Sequence, residues 1–223
     1  GIGSANDISI VIPEMYDDLP VREIAPEAFS NHAIYDIYLP DSIVKIGAAA
    51  FANTGIRDLF IPASVTYIGD SAFESCDSLK RIVLSDGVVT IGDCAFGWCS
   101  SVERITIPAS VKIIGAGAFN GCSALDNATF KTSTGWIYIS DIDSDDAAVI
   151  SASKLGVGAD AADYLVNKFT QKLWICKGND DNSTGSKGLA YTLSADGSGV
   201  MVSVGTATDK KRVIPSTYKG LTV

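Results

Sequence analysis

The chain repeats one stretch, Ile61-Pro-Ala-Ser-Val-Thr-Tyr-Ile-Gly-Asp-Ser-Ala-Phe-Glu-Ser-Cys76, at a nearly constant interval. Close copies run from Leu84 to Cys99 and from Ile107 to Cys122, and looser copies end at Thr54 and His32. The central phenylalanine advances in steps of 22, 22, 23 and 23 residues, through Phe29, Phe51, Phe73, Phe96 and Phe119. A unit this short cannot bury its apolar side alone, so the fixed period predicts stacked units that share one core.

Each copy has two extended stretches joined by turns. In the third copy, Ile56–Ile61 alternates apolar and polar residues as a half-buried strand does, and Pro62 ends it. Gly69 predicts a corner, and Asp70 or Ser71 is expected to cap a short helical turn carrying Ala72-Phe73. The equivalent first strands are expected at Ile34–Leu39, Leu79–Leu84, Val102–Ile107 and Leu125–Phe130. The pattern therefore predicts a solenoid in which equivalent side chains form ladders on a continuous sheet.

The shared phrase, Ile-Pro-x-x-Val-x-x-Ile-Gly-x-x-Ala-Phe-x-x-Cys-x-x-Leu-x-x-Ile, resembles the BspA-like (Treponema pallidum-type) leucine-rich repeats of bacterial and protist surface proteins. Residues 11–130 carry the phrase, and the third to fifth copies match it almost position for position. The resemblance implies a leucine-rich-repeat solenoid, mainly β with short helical turns, built from 22–23-residue repeats. It also implies adhesion or host contact at the cell surface or in secreted form. The shared residues are packing residues, so the resemblance names no ligand.

The domain organisation follows from where the phrase holds and where it fails. Residues 1–130 hold five repeats, and residues 131–177 are predicted to be a C-terminal cap that covers the last apolar rungs. The cap is expected to contain a strand at Gly135–Ile139, a short helix at Asp163–Phe169 and a strand at Lys172–Lys177. Residues 178–188 are polar without periodicity, which predicts a linker.

Residues 189–223 are predicted to open a further array. Two apolar stretches at 189–194 and 200–204 flank Ala195-Asp-Gly-Ser-Gly199, which predicts a hairpin. Residues 205–223 then align without gaps with residues 3–21, with nine identities in 19 positions. The chain itself begins in mid-phrase, so we expect an excerpt of a longer protein. We also expect that head-to-tail self-association can occur through residues 189–223, where a neighbour's hairpin would cover an open edge.

The composition excludes several classes of partner. The formal net charge is −9 and the pI is near 4.5, which argues against nucleic acid and against anionic membrane surfaces. No apolar run approaches the roughly 18 residues that a membrane-spanning helix needs. Cys76, Cys99 and Cys122 recur 23 residues apart in one repeat position, so we expect buried, reduced thiols that stack on adjacent rungs.

No catalytic motif has its complete set of residues, so we expect neither an enzyme nor a required cofactor. His32 is the only histidine, and it occupies the repeat position that cysteine holds elsewhere. No Gly-x-Ser-x-Gly elbow accompanies it. Asp141-Ile-Asp-Ser-Asp145 has the spacing that begins a calcium loop, but Asp146 stands where glycine is needed and Ala152 where glutamate is needed. An exposed acidic loop is favoured at Asp141–Asp146, and calcium binding is the alternative.

The outward side chains of the first strands are the best candidate for a binding site. They include Tyr38 and Phe60, flanked by the two-signed charges Asp36, Asp58, Arg81 and Arg104. Such a face suits a protein or glycan partner, although ordinary solvated strand residues give the same pattern. The sequence therefore predicts a non-catalytic, extracellular or surface-bound protein that binds through its strand face. Two alternatives remain, a structural spacer in a long stalk and an accessory array of an enzyme encoded outside this segment.

Overall fold

The computed structural model describes residues 9–139, 148–168, 170–176, 189–193, 200–204, 217–218 and 221–222. In chain order the strands are β1 (Ser9–Val11), β2 (Met15–Tyr16), β3 (Leu19–Pro20), β4 (Glu23–Ile24), β5 (Asp36–Tyr38), β6 (Lys45–Ile46), β7 (Asp58–Ile61), β8 (Tyr67–Ile68), β9 (Arg81–Leu84), β10 (Thr90–Ile91), β11 (Arg104–Ile107), β12 (Ile113–Ile114), β13 (Asn127–Phe130), β14 (Trp136–Ile139), β15 (Ala148–Val149), β16 (Leu173–Cys176), β17 (Leu189–Leu193), β18 (Val200–Val204), β19 (Thr217–Tyr218) and β20 (Leu221–Thr222). Helices α1 (Ala152–Leu155) and α2 (Gly158–Asp163) follow β15, and a π-helical turn occupies Tyr164–Lys168. The predicted mainly β solenoid is confirmed.

Each repeat contributes one front strand and one back strand. The front strands are β1, β5, β7, β9, β11 and β13, and the back strands are β4, β6, β8, β10 and β12. Back strands pair in parallel along the whole array. Front strands begin two residues later than predicted because the leading apolar residue closes the preceding turn. The Leu79 amide, for example, donates to the Cys76 carbonyl at 2.9 Å, so it is not available to a neighbouring strand.

The turn that carries the central phenylalanine is bonded both within its repeat and to the next one. The amides of Ser71, Phe73 and Ser75 donate to the following repeat at 2.7–2.8 Å. The intervening amide of Ala72 donates to Gly69 at 3.2 Å within the turn. Ser71 and Ser75 have positive φ angles of 54° and 58°, which a right-handed helix does not allow. The expected helical turn is therefore not a helix. It is a turn with two residues at positive φ, and hydrogen bonds join it to the next repeat.

The phenylalanines form a continuous stack through the core. Successive ring centres lie 5.1, 5.2, 5.4 and 5.5 Å apart, with interplanar angles of 15° or less. Phe51, Phe73 and Phe96 are fully buried, whereas Phe29 at the first rung keeps 7% of its surface exposed. Stacked repeats bring equivalent side chains about 5 Å apart, which suits offset aromatic packing.

Two aspartates cap the neighbouring repeat and not their own turn, so the expected local cap is wrong. Asp70 Oδ1 accepts the backbone N–H of Asp93 at 2.9 Å, and Asp93 Oδ1 accepts that of Ala116 at 2.7 Å. The Ile-Gly pairs exist for the same close approach. A Cβ on Gly92 would lie 2.5 Å from Asp70 Oδ1, and one on Gly115 would lie 2.4 Å from Asp93 Oδ1. Glycine is thus needed here for space between repeats, not for a left-handed corner.

The residues after β13 close the C-terminal end of the array. β16 pairs antiparallel with the last back strand, β12, and then with β14. Trp136 and Trp174 pack against Phe130 with ring-centre distances of 5.4 and 6.0 Å. The Thr170 carbonyl accepts the amide of Gly117, and the Cys176 amide donates to Lys112 at 2.8 Å. The cap therefore supplies both the acceptor and the donor that a further repeat would supply.

The cap helix differs from its prediction. We expected a helix over 163–169, but α2 begins at Gly158 and is followed by the π-helical turn. Gly158 starts the helix against β13, where a Cβ would lie 2.4 Å from the Asn127 amide nitrogen. The predicted cap strands are confirmed as β14 and β16.

The tail shows the hairpins that its sequence indicates. β17 pairs antiparallel with β18 over five residues. β19 pairs with β20 through Tyr218 and Leu221, just as β2 pairs with β3 through Tyr16 and Leu19, 202 residues earlier. The linker and Ala195–Gly199 lie outside the described residues. The boundaries of the domains and the self-association through residues 189–223 stay predictions.

Candidate functional site

The front strands alternate buried and outward side chains, and the outward ones form what we call the front face. In β7, Leu59 and Ile61 are buried while Asp58 and Phe60 are exposed. β11 and β13 follow the same pattern. The front face thus carries one column made of Ser9, Asp36, Asp58, Arg81, Arg104 and Asn127. A second column is made of Val11, Tyr38, Phe60, Val83, Thr106 and Thr129.

All six residues of the predicted site lie on the front face and are exposed. Tyr38 keeps 61% of its surface exposed and Phe60 keeps 51%. They do not share one sheet. Among the described strands β5 pairs only with β1, whereas β7 belongs to the four-stranded sheet of β7, β9, β11 and β13. The expected continuous sheet is therefore wrong at this step. Tyr38 lies beside Val11, and Phe60 lies beside Val83.

Two arginines lie over aromatic rings near this division. The guanidinium carbon of Arg81 is 5.2 Å from the centre of the Phe60 ring. That of Arg57 is 5.6 Å from the Tyr35 ring, and Tyr35 is 39% exposed. A guanidinium over an aromatic face is attracted by the ring quadrupole and keeps its planar edge free for a ligand. Sequence reasoning missed Tyr35, because strict alternation places it inward, whereas β5 begins only at the next residue.

A cleft of about 260 Å³ opens between β9 and β11. These strands pair through a single position, Arg81 with Arg104, whereas β7/β9 and β11/β13 each pair through four. Lys80 joins the two arginines on the wall, and Glu103 is the acidic residue there. Val83 and Thr106 also line the cleft, whereas the bordering residues Ile82 and Ile105 are buried. The cleft therefore concentrates positive charge on a chain whose net charge is negative.

The cysteine ladder is buried and free of disulfides, as predicted. Cys76 Sγ donates to the Phe51 carbonyl at 3.2 Å, and the next two cysteines repeat the arrangement one and two rungs on, at 3.1 Å. A hydrogen bond with the Cys76 thiol, together with burial, raises the pKa of Cys99. Burial raises the pKa of Cys122 to about 12. The Cys99 and Cys122 thiols therefore stay protonated at neutral pH, and all three buried side chains pack as small apolar groups.

Of the remaining candidate sites, His32 lies in an ordinary structural contact and the acidic loop falls outside the described residues. His32 is half-buried, and its Nδ1 lies 2.8 Å from the Ser30 carbonyl oxygen. Within the described ranges, no group of three or more His, Cys, Asp or Glu side chains is arranged to hold a metal ion. Asp141–Asp146 lies outside the described residues. The described helices are all too short and too polar to cross a membrane.

Comparisons with known proteins identify the repeat. A sequence model of the BspA type leucine rich repeat region matches residues 21–140, more than half of the chain, in six copies. No curated protein matches the chain at a significant level.

Several solved structures are similar to part of this chain. The pneumococcal vaccine antigen PcpA is 26% identical with a TM-score of 0.51, over 58% of this chain and 32% of that one. A leucine-rich repeat protein from Bacteroides ovatus is 29% identical with a TM-score of 0.49, over 55% and 37%. A leucine rich cell surface protein from Faecalibacterium prausnitzii is 22% identical with a TM-score of 0.42, over 66% and 55%. The chain covers less than two thirds of each of these proteins.

Proposed function

Because the chain belongs to the BspA-type leucine-rich repeat family, we propose that it is a non-catalytic, surface-bound or secreted protein that binds a protein or glycan through its front face. The family and the fold support a non-catalytic repeat protein. The pneumococcal neighbour is a vaccine antigen, which supports the proposed surface-bound or secreted location of this chain.

The observation that carries the proposal is the exposure of Tyr38 and Phe60 on neighbouring strands. Their inward neighbours Ile37 and Leu59 are buried, so these backbone positions are already fixed by packing. Rigid aromatic side chains lose little conformational entropy on binding, and they are common among interface hot spots. Two exposed aromatic side chains on adjacent, packed strands suit a recognition surface, although β5 and β7 belong to different sheets.

The charges around the aromatic pair suit selection of a partner. Asp36 and Asp58 lie on the same strands as the aromatics, and Arg81 lies one strand further along. Charges at the rim of an interface set orientation and association rate more than affinity. Arg81 is in addition held over Phe60, so part of its ordering cost is met before a partner arrives.

The test is a screen followed by a variant. The full chain is screened against extracellular matrix proteins and a glycan panel, and Kd is measured by biolayer interferometry for whatever binds. The double variant Tyr38→Ala/Phe60→Ala should weaken binding at least tenfold, which corresponds to about 1.4 kcal/mol. Its folding should be nearly unchanged, because both side chains lie mostly outside the core.

A matched control keeps the result specific to the aromatic pair. Thr129→Ala removes an exposed side chain from the same column on the last front strand, outside the cleft. It should leave Kd within twofold of wild type. Equal affinity of the aromatic double variant and wild type would exclude this part of the front face. A wild-type chain that binds nothing in the screen would favour the spacer role.

A further inference from the structure

The cleft between β9 and β11 brings like charges together at a directly paired position. Arg81 faces Arg104 across the two strands, and Lys80 lies next to them. Like charges opposite each other on a sheet repel, and neighbouring strands usually avoid them. The adjacent pairing of Asp58 with Arg81 shows the opposite and favourable arrangement. An anion between the two guanidinium groups would turn a repulsive pair into a bridged one.

The three cations of the cleft are not neutralised by ion pairs with described residues. The ion pairs in the described part of the chain join Lys45 to Glu23, Lys131 to Asp86, Lys154 to Asp160 and Lys168 to Asp163. Arg81 instead rests on the Phe60 ring. The guanidinium groups of Arg81 and Arg104 can each donate two parallel hydrogen bonds to a carboxylate.

The surroundings of the cleft favour a carboxylate on a protein over a uniformly anionic polymer. Asp36 and Asp58 lie on strands to one side of the cleft, and Glu103 lines it. A sulfated or uronate-rich chain running along the front strands would meet these carboxylates and be repelled. A protein segment can present one acidic side chain here and basic ones beside it.

We propose that the cleft between β9 and β11 binds an aspartate or glutamate side chain of a partner protein, held between Arg81 and Arg104. This inference rests on the proposed function and names the chemistry of its partner. Lys80 adds charge to the cleft.

The test uses the full chain, labelled with nitrogen-15, and NMR of the arginine Nε–Hε resonances. The first probe is the peptide acetyl-Lys-Gly-Glu-Gly-Lys-amide, the second is the same peptide with glutamine in place of glutamate, and the third is a heparin hexasaccharide. The glutamate peptide should shift the Arg81 and Arg104 resonances in a saturable way. Its Kd should be at least tenfold lower than that of the glutamine peptide, and the difference should shrink as salt is raised.

Single variants connect the effect to the cleft. Arg81→Gln and Arg104→Gln should each weaken the glutamate peptide at least fivefold. Arg57→Gln is the matched control. It also removes an exposed arginine that lies over an aromatic ring, Tyr35, but Arg57 does not line the cleft. That variant should bind within twofold of wild type.

Three outcomes would overturn the inference. They are equal affinity for both peptides, no shift with either, and tighter binding of the hexasaccharide that is lost in the same two variants. The last would assign the cleft to a sulfated glycan. The proposed function is judged separately, by the screened ligand. If that ligand is weakened by Tyr38→Ala/Phe60→Ala but not by Arg81→Gln or Arg104→Gln, the front face binds and the cleft does not.

Discussion

Removing one ring from the middle of the phenylalanine stack should be among the most damaging single changes in the chain. Phe73 has no exposed surface, and its ring lies 5.2 Å from Phe51 and 5.4 Å from Phe96. Truncation of a buried phenylalanine to alanine removes transfer free energy and leaves a cavity, at a cost of about 3–5 kcal/mol. Rungs on both sides fix the walls by hydrogen bonds, so the site cannot collapse, and we expect Phe73→Ala at the upper end.

The same change at the first rung provides the control. Phe29 is 7% exposed and has one ring neighbour, at 5.1 Å. Since an aromatic pair contributes roughly 0.5–1.5 kcal/mol beyond burial, Phe29→Ala should cost about 1 kcal/mol less than Phe73→Ala. Urea unfolding, followed by the fluorescence of the buried Trp136 and Trp174 and by far-ultraviolet circular dichroism, measures both. A loss below about 2 kcal/mol for Phe73→Ala, or equal losses for the two variants, would refute a tightly coupled stack.

Three further outcomes follow from the contacts between repeats. Among the five free cysteines, Cys94 alone is partly exposed, so a thiol reagent added to the folded chain should label it first, and Cys94→Ser should abolish that phase. Burial raises the pKa of Asp93 against the lowering effect of the hydrogen bond from Ala116, so the stability that Asp93 contributes at low pH is lost as pH rises through its folded pKa. Asp93→Asn keeps a hydrogen-bond acceptor without the charge. In urea unfolding, its free energy of unfolding relative to wild type should therefore rise with pH above about 4. A difference that stays constant with pH would contradict this reasoning. Gly115→Ala should cost roughly 1–3 kcal/mol by overpacking, while the control Gly156→Ala, whose Cβ would have a nearest neighbour at 3.2 Å, should be tolerated.

The repeat period predicts the core because the packing residues are the ones that recur. Phe73, Cys76 and Ile68 stand at the same offset in neighbouring copies, so their ladders can be read from spacing alone. The residues at positive φ leave only a partial trace. The first such position of each turn holds glutamate, alanine, serine, cysteine and finally glycine, whereas the second holds asparagine twice, then serine, tryptophan and glycine. Asparagine and glycine tolerate positive φ by residue type, and bonds to the next repeat hold the other residues there.

The candidate site divides in the same way. Alternation along one strand predicts that Tyr38 and Phe60 point outward, because period two is a local property of a strand. The break between β5 and β7 and the cleft between β9 and β11 depend on how neighbouring strands meet. Residues 22 or 23 positions apart decide that meeting, and a single sequence carries no local signal for it. The expected partner of Asp70 was wrong for the same reason.

The bonding between rungs also determines how such a protein can change length. Each turn donates to the rung after it, as Ser71 does to Asp93, while each back strand donates to the rung before it, as Gly92 does to Ile68. Every internal rung therefore carries the same set of backbone donors and acceptors toward its neighbours. Loss or duplication of one whole 23-residue unit leaves the inter-repeat hydrogen bonds of the remaining rungs satisfied. Loss or gain of whole repeats can then shorten or lengthen the front face in single steps, while the cap stays the same.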